Sequence, residues 1–182
     1  MQNIEIFIGS PRKNGNTHSL AQMLDQGLDN DKFSVNKTFL YDYDIKACTD
    51  CRACKKGNLI CVVKDGMQEL YPLIDDADIL VFATPIYWFG PSAKTKLLLD
   101  RLRPYYSNKM LTAKKALLLL PAGVGESDCD LTIEMFRRSF ETLGVEFMGS
   151  VAAQAYDIGE VNNDKKALAS LERLVTKLNS LG

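Results

Sequence analysis

Apolar positions along the chain switch between two spacings. Residues 3–8 form a nearly unbroken apolar run closed by Gly9, whereas Leu20, Met23, Leu24 and Leu28 recur at three- and four-residue intervals from Asn16 onward. The first pattern suits a strand and the second one face of a helix. Residues 33–40 alternate, with Phe33 and Val35 set against Ser34 and Asn36, which predicts a half-exposed strand at a sheet edge. Residues 79–83 and 116–120 are wholly apolar, as expected of strands covered on both faces. Helix spacing returns at Met67, Leu70, Tyr71 and Ile74, with Asp65 as the expected N-cap. A third helix is predicted from Ser92 to about Arg103, stopped by Pro104. A fourth carries Ile133, Phe136, Phe140 and Leu143 and ends at Gly144, where a left-handed cap is wanted. Residues 145–152 read as the last strand, and Leu168, Leu171, Val175, Leu178 and Leu181 as the closing helix. Five strands alternating with five helices predict a single α/β domain over residues 1–182 with a parallel sheet. A cysteine-rich insertion without period occupies about residues 45–64.

Charge narrows the partners. The 22 Lys and Arg residues against 23 Asp and Glu leave a net charge of −1, so no basic excess points to nucleic acid or an acidic membrane. No apolar run is long enough to span a bilayer, and Met1-Gln2-Asn3-Ile4-Glu5 lacks the pattern of a signal peptide. The expected setting is cytoplasmic. Four of the five cysteines crowd into one segment, which suits metal binding or redox chemistry rather than a disulfide framework.

Ligands of an open parallel sheet bind beyond the carboxyl ends of its strands. After the first strand comes Gly9-Ser10-Pro11-Arg12-Lys13-Asn14-Gly15-Asn16-Thr17, which has neither the G-x-G-x-x-G of a dinucleotide loop nor the G-K-[ST] ending of a triphosphate loop. Small residues leading into a helix N-terminus favour an anion, and Ser10, Arg12, Asn16 and Thr17 supply donors matched to a terminal phosphate. The plainer alternative is a polar connection in which Asn16 or Thr17 only caps the helix. After the third strand, Pro85, Ile86, Tyr87, Trp88 and Phe89 make an aromatic loop stiffened by proline, suited to a flat ligand surface. Its aromatics could equally pack under the next helix or against a second subunit. After the fourth strand, Ala122 and Gly123 let the backbone approach a ligand closely, although glycines there usually mark only a turn. His18 reads as a solvated or capping residue, and Lys96 with Asp100 as a surface i, i+4 pair.

The first loop and the stretch from Asp76 through Trp88, continued by Lys96 and Asp100-Arg101, resemble the NADPH-dependent FMN reductase and multimeric flavodoxin family over nearly the whole chain. That resemblance implies a flavodoxin-like three-layer α/β/α fold with strand order 2-1-3-4-5. It also implies non-covalent FMN, with the phosphate at the first loop and the ring lined by residues 86–89 and the loop at Ala122 and Gly123. NAD(P)H would be the co-substrate.

Cys48, Cys51, Cys54 and Cys61 follow C-x2-C-x2-C-x6-C, a spacing suited to a 4Fe-4S cluster and unlike the two separated knuckles typical of zinc. The segment resembles that of the iron–sulfur flavoproteins; redox-active or idle thiols are the alternative. Cys129 reads as a thiol without a role. The expected function is an FMN-dependent oxidoreductase passing electrons to a quinone, a flavin, another small acceptor or a redox protein, with no catalytic side chain assigned. A flavodoxin-type carrier and a flavin-less metal-binding regulator are the alternatives; the net charge of −1 disfavours the first and the intact phosphate loop the second. The exposed aromatic run predicts a homodimer or tetramer.

Overall fold

The computed structural model describes residues 1–181. In chain order its elements are β1 Gln2–Ile8, α1 Asn16–Gly27, β2 Phe33–Phe39, α2 Met67–Asp76, β3 Ile79–Ala83, β4 Ile86–Tyr87, β5 Gly90–Pro91, α3 Ala93–Asp100, α4 Arg103–Asn108, β6 Lys115–Ala122, α5 Asp130–Leu143, β7 Glu146–Gln154 and α6 Lys165–Asn179. Five strands pair in parallel in the order β2-β1-β3-β6-β7, which is 2-1-3-4-5 among the strands of this sheet. The alternating strand, β2, lies at the edge as its pattern required.

Each face of the sheet has its own core. Phe7, Leu80, Phe82, Leu118 and Leu120 pack with α2, α3, α4 and α5, while Ile6, Ile8, Val81, Leu117 and Leu119 pack with α1 and α6. Period-two alternation within an all-apolar strand feeds both cores, which is why β3 and β6 carry no polar face. Phe82, Phe136 and Phe140 meet ring to ring at centroid distances of 5.2–5.6 Å, pinning α5 to the middle of the sheet.

Two expectations need correction. The helix predicted to run to Arg103 ends at Asp100, and Pro104 then falls in the first turn of a separate helix, α4. Proline is tolerated there because the first N–H groups of a helix have no intrahelical partner, so Pro104 starts a helix instead of stopping one. The loop expected after β3 is a tight hairpin, β4–β5. The helix count among the described residues is therefore six, not five. Gly144 does adopt the left-handed cap, with φ of 75°.

The site is positioned by a switch in direction. The connection after β1 leads to α1 on one face, and that after β3 leads to α3 on the other. Between them, Gly9 N–H donates to the Ala83 carbonyl at 2.7 Å, and a Cβ on Gly9 would lie 1.8 Å from Thr95 Oγ1. Only glycine lets the end of β1 lie this close to the start of α3.

Candidate functional site

Three of the predicted segments meet at the carboxyl ends of the adjacent strands β1, β3 and β6. Helix α1 begins with no side-chain cap, and the N–H groups of Asn16, Thr17 and His18 have no partner among the described residues. An uncapped, unpaired N-terminus is the arrangement that receives an anion. Ser10 and Thr17 are buried in this turn, and the exposed Arg12 donates its N–H to Ser10 Oγ at 3.2 Å. Asn16 is used differently from Ser10 and Thr17. Its Nδ2 donates to the Asp157 carbonyl at 2.8 Å, and its Oδ1 accepts from Gly159 N–H at 2.9 Å. The side chain thus ties α1 to the segment after β7, and what Asn16 presents outward is its backbone N–H. His18 lies half-buried, edge-on to Phe39 at 5.2 Å.

The aromatic segment is more constrained than its sequence suggested. Trp88 and Phe89 are the two central residues of the hairpin, with φ of 51° and 62°. Left-handed conformations at both positions define a turn usually made by Asn-Gly. Bulky residues there cost about 1–3 kcal/mol each, and such strain collects at functional sites. The hairpin is held from outside by the Thr132 hydroxyl, which donates to the Phe89 carbonyl at 2.9 Å, and by Ser92 N–H, which donates to Thr84 Oγ1 at 3.0 Å. The N–H groups of Trp88 and Phe89 have no partner among the described residues. Trp88 is 95% exposed, and Tyr87 and Phe89 are about half exposed. Ile86 is partly buried against the sheet core and Pro85 is also partly buried. At the third segment, Ala122 is buried and Gly123 faces Tyr156, whose Cδ2 would lie 3.2 Å from an added Cβ. Tyr156 itself is exposed. The sequence pattern did not single it out, although an aromatic residue two positions after the last strand was a usable signal.

The cysteine segment lies in the connection from β2 to α2, whose 3-10 turns are Leu40–Asp42 and, among the cysteines, Ala53–Lys55. Cys48, Cys51, Cys54 and Cys61 line one pocket together with Arg101 and Arg103. Cys54 is buried, which pushes its thiol up, and Cys51 is exposed. Among the described residues, no three or more His, Cys, Asp or Glu side chains are arranged to hold a metal ion. The four sulfurs share a pocket without converging as ligands. Cys129 stands apart at the start of α5, where burial pushes its thiol up to about 12.

A buried ion pair organises this segment. Arg101 Nη1 lies 2.5 Å from Asp65 Oδ2 and Nη2 lies 3.1 Å from Asp65 Oδ1, with both side chains at most 1% exposed. The same guanidinium donates to the Lys46 carbonyl at 2.8 Å and to Cys61 Sγ at 3.3 Å. Its Nε is buried without a partner. Asp65 Oδ2 accepts from Lys46 N–H and Oδ1 from Met67 N–H. The N-cap of α2 is Gly66, not Asp65 as expected, because the Asp65 side chain, one position earlier, is taken up by Arg101 and Lys46. Lys96 and Asp100 form the surface pair expected of them, at 2.6 Å.

The sheet order and its helical layers define a flavodoxin-like α/β protein. The chain belongs to the family of NADPH-dependent FMN reductases, whose model matches residues 3–157. It is 30% identical over 98% of its length, and 99% of the relative's, to YwqN of Bacillus subtilis, named an NAD(P)H-dependent FMN-containing oxidoreductase. It is 34% identical to an iron–sulfur flavoprotein of Archaeoglobus fulgidus over 67% of this chain and 56% of that protein. The chain thus matches little more than half the length of that relative. Among solved structures, the Trp repressor binding protein of Bacillus subtilis superposes with a TM-score of 0.71 at 26% identity, over 94% of this chain and 96% of that one.

Replacing Asp65 with Asn leaves the buried Arg101 charge without its counter-ion, and urea unfolding is expected to show a loss of about 3–5 kcal/mol. Burial pushes the Asp65 carboxyl up, but hydrogen bonds from Arg101 and from the Lys46 and Met67 N–H groups more than offset it, and the net shift is downward. Its folded value is therefore below the unfolded one. The stabilisation is complete above about pH 4 and is lost as pH falls through the folded value. Wild type should lose more stability than Asp65→Asn on acidification below about pH 4; parallel pH profiles would contradict this role.

Proposed function

We propose that the chain is an FMN-dependent reductase that takes electrons from NAD(P)H and passes them to a small acceptor such as a quinone or a free flavin. One observation carries this reading. Unpaired N–H groups stand at two places along the same sheet edge, the start of α1 and the tip of the hairpin. The first suits a phosphate, and the second suits the heteroatoms of a ring. Bound FMN supplies the chemistry of electron transfer, and the chain supplies position and electrostatics. Ser10, Thr17 and the N–H groups of residues 16–18 hold the phosphate, and Arg12 closes over it. The hairpin from Ile86 to Phe89, with Pro85 before it, and the loop at Ala122 and Gly123 border the ring. The Trp88 and Phe89 N–H groups of the hairpin, without protein acceptors among the described residues, are left for the ring. Hydride transfer to a flavin requires no protein general acid, and none is assigned at this edge.

The exposed aromatic tip supports a homodimer. Tyr87, Trp88 and Phe89, with Tyr156 exposed beyond β7, present more apolar surface than a monomer ordinarily leaves bare beside its ligand. A second reading adds a 4Fe-4S cluster on Cys48, Cys51, Cys54 and Cys61. It is supported by their spacing and by the shared pocket, which Arg101 also lines. Ligation requires the four sulfurs to close in from their present positions.

Steady-state oxidation of NADH and NADPH with a quinone is the direct test of function, and flavin-dependent turnover with either nucleotide is expected. Calorimetry should show FMN binding far more tightly than riboflavin, and Arg12→Ala should cost about 1.5–3 kcal/mol of FMN affinity. Equal affinity for the two flavins would remove the phosphate assignment. Sedimentation of the FMN-loaded protein at micromolar concentration should show a dimer or larger; a monomer refutes the shared edge. For the cysteines, anaerobic expression and reconstitution should yield about four iron and four sulfide per subunit, abolished by Cys51→Ala. Stoichiometric zinc, or no metal, would exclude the cluster.

A further inference from the structure

Away from the flavin loops, a groove of about 690 Å³ runs between α3, α4, α5 and the cysteine segment. None of residues 9–17, 85–91 or 122–123 lines it. Helix spacing builds one side: Met135, Arg138, Ser139 and Thr142 recur at three- and four-residue intervals, so α5 turns a single stripe into the groove. The opposite side carries Leu102, Arg103 and Tyr106, and the cysteine segment adds Cys48 and Lys55. Leu102 is buried in the core, Met135 packs partly buried against that core, and Tyr106 is about half exposed. The groove therefore has an apolar wall that is open to solvent.

Cations surround this wall. Lys55, Lys96, Arg103 and Arg138 line the groove against one carboxylate, Asp100, which is spent on Lys96 at 2.6 Å. Arg103 meets Asp50 through Nη1 at 2.8 Å, and Arg138 meets Glu134 through Nε at 2.6 Å. Among the described residues, Arg103 Nε and Nη2 and both Nη atoms of Arg138 make no hydrogen bond to protein. Lys109 lies over the Tyr106 ring, 4.6 Å from its centroid. With Asp50, Asp100 and Glu134 counted, Lys55 and Lys109 are still left without a carboxylate among the described residues. Guanidinium groups are weakly hydrated for cations, so a ligand displaces their water at modest cost.

An apolar wall ringed by unspent N–H donors suits a molecule with the matching division. The volume falls within the usual range for small-molecule sites, about 300–1,000 Å³. We propose that this groove binds a small amphipathic anion, an apolar body carrying one carboxylate or sulfonate. The body lies against Leu102, Met135 and Tyr106, and Arg103, Arg138 and Lys55 donate to the anionic group. Such a ligand would join the irregular cysteine segment to α5. The site is independent of the flavin reading, because no flavin loop contributes to it.

The test is calorimetry on the full chain in the presence of FMN at neutral pH, with each probe kept below micelle formation. Decanoate and naphthalene-2-sulfonate are the anionic probes, and decyltrimethylammonium is a cation on a matching tail. Saturable binding of at least one anion is expected, with none of the cation. The double variant Lys55→Glu/Arg138→Glu should weaken anion binding about tenfold or more and leave the flavin absorbance unchanged. Decanoate alone assigns an alkyl anion, the sulfonate alone an aromatic one, and both together an anion with either body. Should the double variant fail to fold, Arg138→Glu on the exposed face of α5 decides the question alone. Absence of anion binding, equal binding of the cation, or wild-type affinity in the folded variant overturns the proposal. A changed sedimentation of that variant with anion affinity unaltered would give the groove to contacts between copies of the chain, and would equally overturn it.

Discussion

The Arg101–Asp65 pair is the constraint on which the arrangement of the functional elements depends. A guanidinium at most 1% exposed can stay charged only beside a counter-charge and enough acceptors, and Asp65 with the Lys46 carbonyl supplies them. Three pieces of chain that are distant in sequence therefore meet at one residue. Arg101 caps α3, the helix that starts directly after the β4–β5 hairpin. Asp65 lies two residues before α2. Lys46 and Cys61 belong to the cysteine segment, which has almost no regular structure of its own. Tyr71 closes the assembly by donating its hydroxyl to the Arg101 carbonyl at 2.8 Å.

This geometry divides the labour at the sheet's carboxyl edge. The end of β1 is fixed by the close contact of Gly9 with α3, so the proposed phosphate end of the site rests on rigid elements. The hairpin is fixed at its base by the Ser92–Thr84 hydrogen bond and at its turn by Thr132 on the Phe89 carbonyl, while the aromatic side chains of the tip stay exposed. Strain at Trp88 and Phe89 is tolerable because those anchors over-determine the turn. The cysteine segment approaches from the β2 side and reaches the same region through Arg101. A redox centre there would be mechanically linked to the β4–β5 hairpin, the proposed flavin contact, through a single helix of eight residues, α3.

Much of the fold was legible in the sequence because parallel strands buried on both faces appear as unbroken apolar runs, and β2 alternates because it lies at the edge. What escaped has particular causes. Pro104 carries the same signal whether it ends one helix or begins another, and only the break at Asp100 decides. The hairpin was hidden because Trp88 and Phe89 replace the Asn and Gly by which such turns are recognised. Asp65 and Arg101 stand 36 positions apart, and no periodicity links them. The structure brings Ser10, Arg12, Thr17, the hairpin and Gly123 to one edge. Asn16 reaches that edge as well, but its side chain is spent on the loop after β7. The cysteines had a legible spacing, yet a spacing says nothing about how a segment without regular structure aims its sulfurs.

Hydrogen exchange on the FMN-loaded protein, comparing wild type with Arg101→Met, tests the linkage most directly. If Arg101 holds the two segments in one framework, amides in residues 46–65 and in residues 86–92 should lose protection together. Loss confined to residues 46–65, with the hairpin protected as in wild type, would show that the ion pair serves the cysteine segment alone and would contradict the linkage.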